Sequence, residues 1–188
     1  MRIPKKKKAT DDQRGIEYTL PSSQVRISST SAIYISLLQR FYDDKRIEFL
    51  MLGQHMAETG TNEYSFSWDK DRLFEEEYRA LGEATVMGIE SGYFNYVAHP
   101  DRIFCRKKTW NDSMSEMSYR IINAAYKKKI PLELNMHSVA TKHYYWEEFW
   151  EMVPKDAAVF TGLDAHSLND LTRRYLRQQK YIMEKSER

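Results

Sequence analysis

The stretch AVFTGLDAHSLNDLTRRYL, residues 158–176, holds one complete unit of the fold. A short apolar run stops at Gly162. Asp164 and His166 follow, two residues apart, and both are good metal ligands. Ser167 then opens a segment that reads as a helix behind a Ser-x-x-acid start, Ser167 to Asp170. A buried strand that ends in a glycine and two polar side chains, followed by a helix, is the unit from which α/β folds are built.

The same unit recurs upstream. RIEFLMLGQH (46–55) reads as a buried strand that ends in His55. The segment 69–92 reads as a helix with Phe74, Tyr78, Leu81 and Thr85 on its inner stripe and Gly92 at its end. YFNYVAHPD (93–101) reads as the next strand and carries His99 and Asp101 at its end. The segment 113–129 reads as a helix, with Met114, Met117, Ile121 and Ala124 on one face. Ser113 and Glu116 have capping-box spacing, and Lys127 to Lys129 suit the helix dipole. IPLELNMH (130–137) reads as a strand ending in Glu133, Asn135 and His137. WEEFWEMV (146–153) reads as a short helix before the strand that opened this section. GIEYTL (15–20) reads as one further short strand, and IYISLLQRFYDD (33–44) as a short helix. Strand and helix alternate from residue 46 onward, which predicts parallel strands with covering helices.

Composition sets the outer limits. The chain has 188 residues, 41% hydrophobic and 13% aromatic, which suits one folded domain with a sizeable core. A net charge of +2 gives no field that calls for nucleic acid or an acidic membrane. The run Lys5 to Lys8 reads as a solvated tail. No apolar stretch approaches the roughly 20 residues of a spanning helix, and an apolar signal core is absent from the first residues. One cysteine, Cys105, excludes an internal disulfide and a cysteine-rich zinc site. The expectation is a cytoplasmic protein.

The strand ends point to a chemistry. Of the five histidines, four (His55, His99, His137 and His166) fall at or just past a predicted strand end; His143 lies in an aromatic loop. In parallel α/β folds the carboxyl ends of the strands form the functional face. Imidazole and carboxylate together, without cysteine, suit a hydrolytic centre of zinc, manganese or iron more than a structural site. Alternate residues of a strand point the same way, so Asp164 and His166 can reach one metal cluster, and Gly162 lets the backbone approach it.

YVAHPD, LELN and GLDAHS resemble the later motifs of the PHP phosphoesterases, the polymerase and histidinol phosphatase family. FLMLGQH resembles the middle histidine motif of its histidinol-phosphatase branch. The resemblance covers roughly residues 15 to 180. It implies a distorted (β/α)7 barrel, a centre of two or three divalent metals, a metal-bound water as the attacking group, and hydrolysis of a small phosphate monoester. In that branch the ester is histidinol phosphate, cleaved to histidinol and phosphate in histidine biosynthesis. His55, His99, Asp164 and His166 fall on metal-ligand positions of the pattern. Glu17, within GIE, resembles the family's bridging glutamate; its alternative is an exposed strand residue. Glu133 and Asn135 fall on a motif that supports the site. Arg102 is a candidate phosphate clamp through its two-pronged guanidinium, or a solvent-facing arginine.

One departure stands against full activity. The family opens with a His-x-His strand, and this sequence contains no pair of histidines two apart. The expected organisation is therefore an atypical leader, 1–14, followed by a partial PHP-type barrel, 15–188, that lacks its opening strand through truncation, frame change or degeneration. Open barrel edges then invite self-association. Two functions follow: an impaired metal-dependent phosphomonoesterase, or a non-catalytic remnant that acts as an interaction module, with HYYWEEFW (143–150) as its docking surface; the helical spacing of Trp146, Phe149 and Trp150 fits core positions better than a docking surface.

Overall fold

The computed structural model describes residues 15–18, 36, 38–60, 63–66, 75–165, 167–169 and 171–173, with the backbone alone for 15–18, 57–60 and 63–66. Five short strands, β1 (Gly15–Tyr18), β2 (Phe49–Leu52), β5 (Tyr96–Val97), β6 (Leu132–Asn135) and β7 (Val159–Gly162), form one sheet. All its pairings are parallel. The strands lie side by side in chain order, with no reversal. A doubly wound sheet reverses at a switch point, whereas here every strand adds to the same edge of the sheet.

One face of the sheet is the core. Leu50 and Leu52 of β2, Val97 of β5 and Leu132 of β6 are each at most 2% exposed. They pack with the inner faces of α2 (Glu75–Ser91) and α3 (Asp112–Lys128), and with Leu38 of a helix over 38–43 (α1). The predicted stripes of both long helices are buried: Tyr78, Leu81 and Thr85 on α2, and Met114, Met117, Ile121 and Ala124 on α3. Phe74 lies outside the described residues. The two helices cross closely at Gly82, where a Cβ would overlap the Met117 thioether, and the ion pairs Arg79–Glu116 and Glu83–Arg120 tie them together. Gly92 ends α2 with φ of 76°, a left-handed turn that glycine takes without strain.

Strand residues alternate between faces. The second face therefore carries Phe49, Met51, Tyr96, Glu133, Asn135, Phe160 and Gly162. Its aromatic rings touch in a row, Phe49 to Tyr96 at 5.8 Å and Tyr96 to Phe160 at 5.0 Å between centroids. Phe160 is 38% exposed and Val159 42%.

Four local readings need correction. An antiparallel hairpin, β3 (Met56–Gly60) and β4 (Glu63–Phe66), interrupts the strand–helix alternation between β2 and α2. The strand predicted over 93–101 is two residues long, and a 3₁₀ turn, Pro100–Phe104, replaces its end. The third strand stops at Asn135, and Met136–Thr141 forms a helix (α4), so His137 is helical. The cap of α3 is Asn111, whose side chain accepts from the Met114 N–H at 2.9 Å; the Ser113 hydroxyl instead donates to Glu75. The short helix near 150 is present as α5 (Glu147–Glu151). Residues 168–169 and 171–173 are helical after Ser167.

Candidate metal centre

The carboxyl ends of β2, β5, β6 and β7 lie next to one another, so the residues that follow them share one rim. His55 stands three residues past β2 and His99 two past β5. Their rings lie 4.9 Å apart between centroids. His99 is 5% exposed and its backbone is left-handed, with φ of 34° and ψ of 60°. A side-chain-bearing residue in that region costs about 1–3 kcal/mol, and Pro100 after it also disfavours helical dihedrals. One fixing contact is visible: the His99 N–H donates to Glu133 Oε2 at 3.2 Å.

Glu133 is a strand residue of β6, 7% exposed. Its carboxyl group lies over Gly162 of β7, so close that a Cβ at 162 would overlap it. The close approach read into Gly162 is thus an approach by Glu133. Asn135, 2% exposed, caps α4: its Oδ1 accepts from the N–H groups of His137 at 2.9 Å and Ser138 at 3.1 Å. The Asn135 amide nitrogen is buried with no hydrogen-bond partner among the described residues.

The 3₁₀ turn after His99 sends two more charged side chains to the rim and beneath it. Arg102 Nη1 meets Asp164 Oδ2 at 3.2 Å, and its guanidinium lies 5.4 Å from the centre of the Tyr144 ring. Asp164 is itself left-handed, with φ of 47°. Asp101 turns inward and is 2% exposed. Its Oδ2 accepts from Trp150 Nε1 at 3.0 Å and from the Trp146 N–H at 3.2 Å. Burial pushes its carboxyl up to about 6, against the lowering effect of the Trp150 and Trp146 bonds and of the Arg102 charge. Burial also pushes the Cys105 thiol up to about 11, so it is no nucleophile near neutral pH.

Of the remaining predicted ligands, His166 lies outside the described residues. Glu17 is described only by its strand position, beside Met51 of β2. Among the described residues no three His, Cys, Asp or Glu side chains gather so as to hold a metal ion. Two imidazoles sit together, and the candidate carboxylate Asp164 is engaged by Arg102. These side chains do not by themselves fit a divalent ion.

Sequence reading passed over Asp101 as a structural acid, the contact of Glu133 with His99, and the partner of Arg102. The first had no signal of its own, since Asp101 stands between Pro100 and Arg102, where an exposed acid reads equally well. The other two depend on which strands pair, which local pattern does not carry.

In its fold the chain is similar to solved histidinol phosphatases. It is similar to a Listeria monocytogenes protein assigned as a histidinol phosphatase, with a TM-score of 0.61 and 12% identity over 84% of this chain. It is also similar to the histidinol phosphate phosphatase of Lactococcus lactis, determined with zinc, L-histidinol and phosphate, with a TM-score of 0.50 and 16% identity over 79% of this chain. The chain spans 65% and 62% of the lengths of those two proteins. No protein-family model matches the sequence, and no curated protein matches it either. No helix among the described residues is long and apolar enough to cross a membrane.

Proposed function

We propose that the chain is a metal-dependent phosphomonoesterase of the histidinol-phosphatase type, on a partial (β/α)7 PHP-type barrel, with weak metal binding and low turnover. The observation that carries this reading is the rim. His55, His99, Arg102 and Asp164 stand past the carboxyl ends of β2, β5 and β7, with Glu133 on β6 between the last two, in a fold shared with a phosphatase that holds zinc, histidinol and phosphate. The substrate is then a small phosphate monoester, and zinc, manganese or iron is the metal. His55, His99, Asp164, His166 and Glu17 are its proposed ligands, and Arg102 the phosphate clamp. Glu133 and Asn135 are proposed in supporting roles, with the bonds of each to its neighbours in favour. Glu133 fixes His99, and Asn135 fixes the start of α4. Low turnover follows from the donors at hand: the sequence has no His-x-His pair, and the described residues bring two imidazoles together rather than three ligands.

The test is elemental analysis of the purified chain, combined with turnover of histidinol phosphate and of p-nitrophenyl phosphate. Less than one metal per chain and slow, metal-stimulated hydrolysis are expected. Full occupancy with rapid turnover would show that other residues supply the missing ligands. No uptake of zinc, manganese or iron at any concentration would end the reading.

One observation favours the non-catalytic alternative, an interaction module. The half-buried rings of Phe49 and Tyr96 lead to Phe160 of the edge strand β7, which is exposed on the second face of the sheet. The segment 143–150 is not that surface: Phe149 is fully buried, and Trp146 and Trp150 pack on the core. Sedimentation velocity would decide whether the edge joins two copies; a monomer at all concentrations removes self-association.

A further inference from the structure

We propose that Glu133 is the positioning residue of His99, and that position 162 is a glycine because the Glu133 carboxyl group occupies the space a side chain would take. Three observations meet here. His99 holds a left-handed backbone directly before a proline, and it needs a contact to keep it there. Glu133 Oε2 accepts from its N–H at 3.2 Å, and both residues are buried. Glu133 and Gly162 lie on one face of adjacent strands, in the register Glu133 to Phe160 and Asn135 to Gly162. The Glu133 side chain leans along the sheet onto the bare Cα of Gly162.

The consequence falls on the rings. An extended backbone at residue 99 is what a residue before proline prefers. Left-handed dihedrals instead turn the chain sharply, and they accompany a ring placed 4.9 Å from that of His55. Glu133 therefore governs the pairing of the two imidazoles from a distance, through the main chain. Its importance to function rests on the reading of His55 and His99 as metal ligands; the geometry does not.

The experiment uses the full chain and two readouts. One is the amide resonance of His99 in ¹⁵N-labelled protein, which reports its hydrogen bond. The other is titration with zinc ion alone. In Gly162→Ala, the new methyl group displaces Glu133. The His99 amide should move upfield and zinc affinity should fall by about 10–100-fold, as for other residues that orient a ligand. Adding Glu133→Asp, shorter by one methylene, should recover part of both changes, which a general loss of stability would not do. An unmoved His99 amide in Gly162→Ala, or no recovery in the double variant, overturns the proposal. Should Gly162→Ala fail to fold, Glu133→Gln keeps the volume and weakens the acceptor. The same upfield shift is expected there, and its absence overturns the proposal equally. If the unsubstituted chain takes up no zinc while the amide responds as expected, the metal reading falls and the positioning role stands.

Discussion

Replacement of Asp101 by asparagine should make the protein more stable at neutral pH and leave it nearly unchanged in acid. Asp101 is a carboxyl group shut inside the protein between Trp146 and Trp150, and its pKa rises from 3.8 to about 6. The folded chain therefore holds this proton more tightly than the unfolded chain. That contribution is fully present below about pH 4 and is lost as pH rises through about 6. A rise of about two units corresponds to about 3 kcal/mol. Asparagine keeps an oxygen that can accept from the Trp150 and Trp146 N–H groups, but carries no charge to desolvate. At pH 7.5 the variant should gain up to about 3 kcal/mol, which for a chain of this size raises Tm by about 6–12 °C. At pH 4 the two melts should coincide within about 0.5 kcal/mol. The assay is chemical denaturation of both proteins at half-unit steps from pH 4 to 8. Parallel stability curves would refute the argument, because they would mean that Asp101 titrates alike in the folded and unfolded states.

Asp164→Asn should leave metal-free stability within about 1 kcal/mol. Its ion pair with Arg102 is partly exposed, and asparagine tolerates the left-handed backbone at 164. Zinc affinity, measured by calorimetric titration, should nonetheless fall at least 10-fold; equal affinity removes Asp164 from the ligand set. Gly82→Ala should lower stability by about 1–3 kcal/mol in urea denaturation despite the better helix propensity of alanine, because the added methyl group meets the Met117 sulfur where α2 crosses α3. A neutral or stabilising result would mean that Met117 moves aside without cost.

Long, periodic elements were legible in the sequence. α2 and α3 bury their predicted stripes, because a helix of 17 residues repeats its apolar pattern several times. Short elements were not. α4 has six residues, too few for a period, and its one signal, Asn135, reads equally well as a site residue. β5 is short because Asn95 takes over part of the pairing with its side chain, which accepts from the Leu50 N–H at 2.7 Å. Beyond Val97 the left-handed turn at His99 ends the strand. The hairpin had a signal in Gly60-Thr61-Asn62 between two runs of strand-forming residues, but the alternation of strand and helix around it suggested a simple connection. At the rim, sequence named the residues without their partners. Arg102 finds Asp164, and Glu133 finds His99 and Gly162, only once parallel strands have stacked in register.

The turn His99–Arg102 is where these partners meet. His99 ties it to β6 through Glu133, Asp101 ties it to α5 through two tryptophans, and Arg102 ties it to the residues after β7. The aromatic segment thus anchors the rim from behind, through a buried carboxylate that costs stability at neutral pH. The Arg102–Asp164 pair is the weakest of the three ties. Each side chain is about one fifth exposed, and such a pair contributes about 1 kcal/mol or less. A phosphate that takes two charge-assisted bonds from the guanidinium gains about 1.5–3 kcal/mol for each, which exceeds what it must displace. A dication at Asp164 must overcome this attraction and also the repulsion of the neighbouring guanidinium. The pair therefore yields to a phosphate but opposes a metal, and a dication takes Asp164 only once Arg102 has turned away from it.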